Sequence, residues 1–432
     1  MLSMRVLIIN TSERIGGAAI AANRLMEALK NNGVNAKMLV RDKQSSLVSV
    51  VPLPSSWKLP AKFIWERFVI WLSNGFSRNN LFQMDIANTG TDITSMSDFR
   101  MADVVHLHWV NQGFLSLDDI TKILRSGKPV VFTMHDMWYF TGVCHYSGDC
   151  QKYRTGCGLC PLIHRGGAPN DMSARVFRRK LKMYSDSKLR FVACSRWLEN
   201  LAKKSRLLEG QFVTNIPNAI NTNLFRPEDK AEARRRCGLP EGKRLLLFGC
   251  QKITDERKGF KYLVDACRIL KEKYPAEADN IGLVVAGAES DKVQNYVPFT
   301  VYPIDYVSDE AHMVDLYNAV DLYVTPSLQD NLPNTIVEAM SCGVPCIGFA
   351  IGGIPEMIDH LHNGYVAYYK DAADFANGIH WALDGANYAN LCEMARRKAV
   401  DTYAEDEVAR RYIEIYNSAL GGSASSEHKA VK

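Results

Sequence analysis

Two carboxylates stand eight positions apart in the stretch 323–356, where a strand, a loop and a helix are predicted in succession. Asp330 lies in the loop and Glu338 inside the helix, so both can face one crevice above a parallel sheet. A helix that begins where such a strand ends directs free N–H groups, here near Asn334 and Thr335, into that crevice. This pattern is typical of an anion site and suits a phosphate.

A second candidate for phosphate chemistry is the basic loop that follows a strand predicted over 244–248. Lys258 and Gly259 stand where this loop meets the next helix, and Lys252 and Arg257 are the other cations in it. An ammonium group at this junction can stabilise the charge of a departing diphosphate. Loop lysines are often only solvated, but the glycine beside Lys258 favours the functional interpretation.

Glycines also follow the first predicted strand, residues 4–10. Gly16 and Gly17 open a helix that is predicted to run to about Asn31, and they let a ligand approach the backbone closely. The alternative is a plain tight turn. A full Gly-x-Gly-x-x-Gly is absent, which argues against a nicotinamide-dependent dehydrogenase.

Two predicted strands of the first half, 103–109 and 130–133, carry or precede histidines. His108 lies in the first, and His135 and Asp136 follow the second. Residues just past strand ends line ligand sites in α/β sheets, so His135 is a candidate site residue, with a structural histidine as the alternative. His108 and Asp136 are weaker candidates for shaping an acceptor site.

Four cysteines share a glycine-rich loop at 142–161. Four thiolates in such a loop can close a tetrahedral zinc site, and the last pair has the spacing of one zinc knuckle. Free thiols and disulfides are the competing interpretations. A zinc ion here would hold the loop and take no part in the chemistry. The four are Cys144, Cys150, Cys157 and Cys160.

The composition is that of an ordinary globular protein of about two or three domains, with 432 residues, 47% of them hydrophobic and 23% charged. The net charge of +5 is mild and does not by itself indicate nucleic acid, but it suits a sugar nucleotide or an anionic lipid surface. Neither a signal peptide nor a membrane-spanning segment is predicted, so we expect a cytoplasmic protein with mostly reduced cysteines.

An aromatic helix is predicted over 57–72, with Trp57, Ile64, Phe68 and Trp71 among the residues of one face. Such a helix could rest on a membrane, but we favour packing on the first sheet, because core helices are commoner.

Residues 175–206 carry eleven Lys or Arg and two acids. This stretch indicates either a phosphate-rich or membrane partner or a solvated helix face.

The stretch around Glu338 resembles the donor-binding signature of retaining glycosyltransferases of family four. The matching residues are 338–345, Glu-Ala-Met-Ser-Cys-Gly-Val-Pro, and 352–356, Gly-Gly-Ile-Pro-Glu; Asp330 replaces the first glutamate of the signature. The resemblance covers nearly the whole chain and is most specific over 245–358. It implies the α/β GT-B fold, two Rossmann-like domains that face each other across a cleft.

The resemblance also implies the domain limits. The acceptor-side domain takes residues 1–215 and the donor-binding domain residues 216–403. A helix over 404–420 returns to the first domain, and a small, polar tail over 421–432 is expected to be disordered.

By the same resemblance, Lys258 grips the donor phosphates with Lys252 or Arg257, and His135 and Asp330 position the sugar. Glu338 binds the ribose hydroxyls. The loop with Gly16 and Gly17 lies near the diphosphate, Asn334 and Thr335 stabilise the leaving group, and the backbone at Tyr306 and Val307 holds the base. No divalent metal or other cofactor is needed for catalysis.

The implied function is sugar transfer from a nucleotide donor to an acceptor hydroxyl, with retention, in bacterial surface polysaccharide synthesis. The expected acceptor is a glycan or lipid-linked glycan, with the inner membrane surface as a further partner and no nucleic acid. The alternatives are another GT-B enzyme, such as a sugar-nucleotide epimerase or a phosphorylase, and a non-catalytic nucleotide-sugar binding protein.

Overall fold

A computed structural model describes residues 3–421, and the chain forms two compact units. The first unit contains the chain up to Asn218 and again from Val408, and the second contains Ala219–Glu407. The division therefore falls three residues after the predicted boundary at 215. Apart from Gly421, the tail predicted to be disordered lies outside the described residues.

The first unit is built on a seven-stranded parallel sheet in the order β3-β2-β1-β4-β5-β6-β7. Its strands alternate with helices, as a doubly wound fold requires. The strands are β1 (Arg5–Ser12), β2 (Asn35–Asp42), β3 (Val50–Pro52), β4 (Val104–Leu107), β5 (Val130–Met134), β6 (Arg190–Ala193) and β7 (Phe212–Asn215).

The helices of this unit include α1, which follows β1 and ends close to Gly33, where the backbone adopts a positive φ. Apolar strand residues such as Leu7, Val105 and Phe132 form the core beneath them. The helices are α1 (Gly17–Asn31), α2 (Lys58–Ser73), α3 (Ser97–Met101), α4 (Leu117–Arg125), α5 (Met172–Ser185) and α6 (Arg196–Ala202).

The second unit has a six-stranded parallel sheet in the order β10-β9-β8-β11-β12-β13. Residues such as Leu246, Leu283, Val324 and Ile347 form its core. The strands are β8 (Arg244–Lys252), β9 (Ile281–Ala288), β10 (Thr300–Ile304), β11 (Leu322–Thr325), β12 (Cys346–Phe349) and β13 (Gly364–Ala367).

Helices lie between most of these strands in the chain, since parallel neighbours need crossover connections. The helices are α7 (Lys230–Cys237), α8 (Phe260–Lys273), α9 (Pro275–Ala278), α10 (Glu310–Ala319), α11 (Asn334–Ser341), α12 (Ile354–Met357), α13 (Ala372–Leu383) and α14 (Tyr388–Tyr403). Two parallel doubly wound sheets confirm the predicted α/β architecture.

The last helix, α15 (Glu405–Ala419), begins in the second unit and continues into the first. Within the first unit, the Tyr412 hydroxyl lies 2.8 Å from Thr133 Oγ1. The Tyr416 hydroxyl lies 2.8 Å from His106 Nδ1. These buried hydrogen bonds attach the end of the chain to strands β4 and β5.

A predicted strand end differs from the structure, and two further element bounds place predicted site residues. Strand β8 runs to Lys252 rather than ending at 248, because a bulge after Gly249 lets the ladder with β9 continue. Strand β10 ends at Ile304, so Tyr306 and Val307 lie beyond it and not within it. Helix α11 begins at Asn334, and Pro333 is the residue that precedes it.

Helix α2 packs on the core of the first unit through Ile70, but not through the face that we expected from the sequence. Trp57, Ile64 and Phe68 are exposed, whereas Glu66 and Arg67 are buried. The aromatic face that was expected to cover the sheet therefore points to solvent. No helix between residues 3 and 421 combines the length and apolar composition that crossing a bilayer requires.

Candidate active site

The order of strands in the second unit reverses between β8 and β11, which are neighbours in the sheet although β9 and β10 lie between them in the chain. In doubly wound sheets, ligands bind beyond the carboxyl ends of the strands at such a switch point. Lys258 follows β8, and Asp330 and Asn334 follow β11. The fold thus brings the predicted phosphate-binding residues to one edge of one sheet.

Lys258 and Asp330 form an ion pair at this edge. Lys258 Nζ donates to Asp330 Oδ2 at 2.7 Å. The two side chains keep 28% and 16% of their surface exposed, so solvent and small ligands can reach them. Both charges are thus held in place and accessible.

Two glycines let the loop that carries Asp330 pass close to its neighbours. A Cβ atom at Gly259 would overlap the carbonyl oxygen of Pro326, and one at Gly352 would overlap the carbonyl oxygen of Asp330. Both glycines have a positive φ, +66° and +59° respectively, which favours glycine. The glycines of the two motifs therefore fix the position of the loop.

The first turn of α11 follows this loop. Asn334 and Thr335 are half-buried, so the turn reaches the surface. The Tyr323 hydroxyl donates to Thr335 Oγ1 at 2.8 Å and fixes that side chain against the end of β11. The helix N-terminus with its dipole therefore lies at the edge where Asp330 is held.

Glu338 lies one turn further along α11 and is almost fully buried. One of its oxygens accepts a hydrogen bond of 2.7 Å from the Tyr317 hydroxyl. Burial raises the pKa of Tyr317 well above its usual value, so the phenol stays protonated and donates. The contact of Glu338 with ribose hydroxyls stays a prediction.

The other cations near Lys258 differ in what they contact. Arg257 Nη2 donates to Asp255 Oδ2 at 2.7 Å and is already paired. Lys252 is exposed at the last position of β8, opposite Ala288 of β9. A hydrogen bond from Lys292 holds the pKa of the Glu289 carboxyl below its usual value, and Lys252 lies close enough to add to this effect.

Tyr306 and Val307 lie between β10 and α10, beyond the carboxyl end of the edge strand β10. Tyr306 is exposed and Val307 is half-buried. They therefore belong to the same edge of the sheet as Lys258, two strands away from β8. Their role towards a base stays a prediction.

In the first unit, Gly16 immediately precedes α1, and its φ is +89°. Its carbonyl oxygen accepts hydrogen bonds from the N–H groups of Ala19 and Ile20. A Cβ atom at Gly16 would meet no atom within 4 Å, so the space above it is open. Gly17 is the first residue of the helix and is exposed, so a ligand can approach the backbone here.

His135 follows β5, where the sequence places it, but its ring is hydrogen-bonded inside the unit. Nε2 lies 2.9 Å from His108 Nδ1, and Nδ1 lies 3.4 Å from Cys194 Sγ. Burial lowers the pKa of His135 to about 4, so the imidazole is neutral at pH 7. The contact of His135 with a donor sugar stays a prediction, and the group that would make this contact is a neutral imidazole.

Comparison with known proteins identifies the kind of enzyme. Residues 242–385, which include Lys258, Asp330 and Glu338, match the family "Glycosyl transferases group 1". An uncharacterised glycosyltransferase of Methanocaldococcus jannaschii is 24% identical over 397 residues, 84% of this chain and 97% of its own length. The chain is a glycosyltransferase.

Other curated relatives match over less of their length. N-acetyl-α-D-glucosaminyl L-malate synthase of Bacillus anthracis is 24% identical over 217 residues, 48% of this glycosyltransferase and 54% of its own chain. For such relatives, the chain spans about half of their length.

Solved structures confirm the GT-B fold. Sucrose-phosphate synthase from Thermosynechococcus elongatus has a TM-score of 0.69, with 17% identity, over 97% of this glycosyltransferase and 100% of its own chain. Anabaena HepE in complex with UDP-glucose has a TM-score of 0.64, with 16% identity, over 96% of this chain and 100% of its own.

Sequence reasoning missed a buried ionic network beside His135 in the glycosyltransferase. His145 Nδ1 lies 2.7 Å from Asp136 Oδ2, and His145 Nε2 lies 2.6 Å from Asp85 Oδ2. Burial alone would lower the pKa of His145, but the two carboxylates raise it to about 10. Asp136 also accepts from Trp109 Nε1 at 3.0 Å, so it acts inside the protein and is not free to meet an acceptor. The only sequence signal was a histidine beside a cysteine in a glycine-rich loop.

The four cysteines of residues 142–161 line one small cavity of the glycosyltransferase. Burial raises the pKa of Cys144 to about 12 and that of Cys157 to about 11, so both are thiols. Within residues 3–421, no group of three or more His, Cys, Asp or Glu side chains is placed to hold a metal ion. Zinc here stays a prediction.

Metal analysis of protein purified without added zinc tests the predicted zinc site. Stoichiometric zinc would support the site, and four titratable thiols without zinc would refute it.

The basic stretch 175–206 is only partly a surface feature. Lys180 is fully buried, and its ammonium group donates to the carbonyl oxygens of Trp138 and Thr141. Its neighbours Arg178 and Arg179 are exposed. Lys180 therefore supports the fold of the first unit and cannot meet a membrane or a phosphate.

Proposed function

We propose that this glycosyltransferase moves a sugar from a nucleoside diphosphate sugar to an acceptor hydroxyl, with retention of configuration. The observation that supports the proposal best is the Lys258–Asp330 pair at the switch point of the second sheet. It places one cation and one carboxylate beside the first turn of α11. A sugar diphosphate needs both: positive groups for the leaving phosphates and negative charge near the sugar.

The reaction starts with cleavage of the bond between the anomeric carbon and the phosphate oxygen. The bonding electrons leave with the diphosphate, and the sugar acquires oxocarbenium character. Lys258 and the N–H groups near Asn334 and Thr335 stabilise the diphosphate, so neither a general acid nor a divalent metal is needed. The acceptor hydroxyl attacks from the side on which the phosphate leaves and gives its proton to the departing phosphate oxygen, so the anomeric configuration is preserved.

Asp330 has two tasks in this proposal. It holds the Lys258 ammonium group before the donor binds, and its negative charge steadies the positive charge that develops on the sugar. Glu338, which lies one turn into α11, binds the ribose, and the backbone at Tyr306 and Val307 holds the base. His135 contributes hydrogen bonds as a neutral imidazole in the acceptor-binding first unit.

The donor class is supported by a structural neighbour, because the HepE structure contains UDP-glucose. UDP-sugars are therefore the first donors to test, ahead of GDP- and ADP-sugars. We propose a glycan or lipid-linked glycan as the acceptor, at the inner face of a bacterial membrane and in surface polysaccharide synthesis.

Calorimetry with UDP, GDP and ADP tests the donor site in the wild-type protein and in Lys258→Ala. A hydrogen bond to a charged group contributes about 1.5–3 kcal/mol, so we expect about a ten- to hundred-fold loss of affinity. The matched control is Lys273→Ala, which removes an exposed lysine at the last position of α8. Equal affinity in all three proteins would refute the assignment.

Product analysis distinguishes the enzyme classes. Turnover that requires an acceptor, with the anomeric configuration of the donor kept in the product by NMR, supports a retaining transferase. Turnover without an acceptor would indicate an epimerase, phosphate-dependent turnover a phosphorylase, and donor binding without any turnover a binding protein.

A further inference from the structure

Helix α2 buries the charged Glu66 and Arg67 together with Ile70, whereas most of its large apolar residues face outward. Glu66 is buried and accepts hydrogen bonds from the N–H groups of Ile86 and Ala87, at 3.1 and 2.7 Å. Arg67 is buried beside it and donates to the carbonyl oxygens of Leu81 and Met84 and to Asp85. The segment 81–87 therefore provides hydrogen-bond partners for both charged groups, and the opposite side of the helix faces outward.

The outward side of α2 is a continuous apolar surface. Ile64, Trp65, Phe68 and Leu72 are 46–64% exposed. The ring centroids of Trp65 and Phe68 lie 5.9 Å apart, those of Phe68 and Trp71 5.8 Å, and those of Trp71 and Phe76 4.9 Å. We call this surface the aromatic face; its exposed members are Trp57, Ile64, Trp65, Phe68, Leu72, Phe76 and Phe82.

Such a surface is unusual on a protein that stays in water. Single exposed apolar side chains are common, but a contiguous patch of large ones marks a site of interaction. Folding the other way would have buried the rings and exposed Glu66 and Arg67 to solvent. Instead, the chain buries an ion pair at a cost in desolvation, so an apolar partner outside is the natural explanation.

The exposed charges of the segment that carries the aromatic face have one sign. Residues 57–84 contain four cations and a single acid, the buried Glu66. Lys58 and Arg78 are the exposed charges of this segment, and both are positive. The exposed Arg165 follows His164, whose N–H donates to Asn74 Oδ1 at 2.7 Å, so it joins the same end of the helix.

We propose that the aromatic face docks on the surface of a lipid bilayer that carries anionic headgroups. Tryptophan and phenylalanine rings bind at the boundary between headgroups and acyl chains, and a basic rim adds attraction to anionic lipids. A second copy of this chain fits less well, because a two-fold contact would bring the positive rims of both copies together. The inference does not depend on which donor the enzyme uses.

Vesicle flotation of the full-length protein tests the proposal. Vesicles of phosphatidylcholine with about 30% phosphatidylglycerol should carry the wild-type protein, and more weakly at high salt. The variant Trp65→Ser/Phe68→Ser/Phe76→Ser should bind at least about ten-fold more weakly, since three rings no longer enter the interface. Lys58→Glu/Arg78→Glu should weaken binding to the anionic vesicles more than to pure phosphatidylcholine.

A matched control replaces three exposed apolar residues elsewhere, Val48→Ser/Phe212→Ser/Tyr296→Ser. It should float like the wild-type protein, and all variants should melt at similar temperatures and bind nucleotide equally. Equal flotation of the ring variant, or no flotation of the wild type on anionic vesicles, would overturn the proposal. So would a wild-type dimer in solution that the ring variant abolishes, because a second copy would then cover the face.

Discussion

Lys258 Nζ lies 2.7 Å from Asp330 Oδ2, and the two residues come from loops that follow the neighbouring strands β8 and β11. The ammonium group is thus positioned by the protein before any ligand arrives. A diphosphate that binds there must share the ammonium group with the carboxylate. Asp330 should therefore affect donor binding and turnover in opposite directions.

Replacing Asp330 with Asn should separate those two effects. The amide keeps the size of the side chain but frees Lys258 for the phosphates, so donor affinity should stay equal or increase. Turnover should fall about 100-fold, or about 2.7 kcal/mol in the barrier, because no negative charge faces the sugar. Calorimetry and steady-state kinetics measure both. Unchanged kcat would contradict the role of Asp330, and Asp330→Glu, which restores the carboxylate, should recover most of the activity.

Gly352→Ala should displace the loop that carries Asp330. The new Cβ would overlap the Asp330 carbonyl oxygen, and φ is +59°. Gly238→Ala is the control, because Gly238 has a similar φ of +66° and no atom within 4 Å of a Cβ. The control should lose only about 1–2 kcal/mol of unfolding free energy from backbone strain. Gly352→Ala should also lose donor affinity by calorimetry, and a normal affinity would mean that the loop tolerates the shift.

The stability of the first unit should depend on pH through His145. Its pKa is about 10 in the folded protein, above the usual value of 6.5. The stabilisation is therefore complete below pH 6.5 and is lost as the pH rises through 10. Thermal unfolding from pH 7 to 10.5 should show this decline in the wild type. His145→Gln should start roughly 3–5 kcal/mol lower, because Asp85 and Asp136 stay buried without their partner, and it should decline less. A parallel decline in both proteins would exclude His145 as the cause.

Charge reversal should distinguish the buried from the exposed members of the basic stretch. Lys180→Glu should prevent folding of the first unit, because it sets a carboxylate against the carbonyl oxygens of Trp138 and Thr141. Arg178→Glu removes an exposed charge and should change the unfolding free energy by less than about 0.5 kcal/mol. Circular dichroism melts measure both, and a stable Lys180→Glu protein would be inconsistent with the burial of Lys180.

Local sequence signals predicted much of the fold. Gly259 indicated where helix α8 begins, and the strands that precede Lys258, Asp330 and His135 followed from apolar runs. The packing face predicted for α2 was wrong, because the hydrophobic pattern of an isolated helix does not say which side meets the core. Residues 81–87, which satisfy Glu66 and Arg67, are close only in the folded chain. For the same reason, the ionic network of His145, Asp136 and Asp85 could not be predicted: its members lie 9 and 60 positions apart.

The two hydroxyl groups of α15 that bond to His106 and Thr133 have a consequence for synthesis on the ribosome. Strands β4 and β5 emerge early, but Tyr412 and Tyr416 are translated about 280 to 310 residues later. Until then, two polar groups in the middle of the first sheet have no phenolic partner. If synthesis stops within the second unit, the first unit lacks the two hydrogen bonds from α15. Cellular proteases can then recognise the incomplete chain as unfolded.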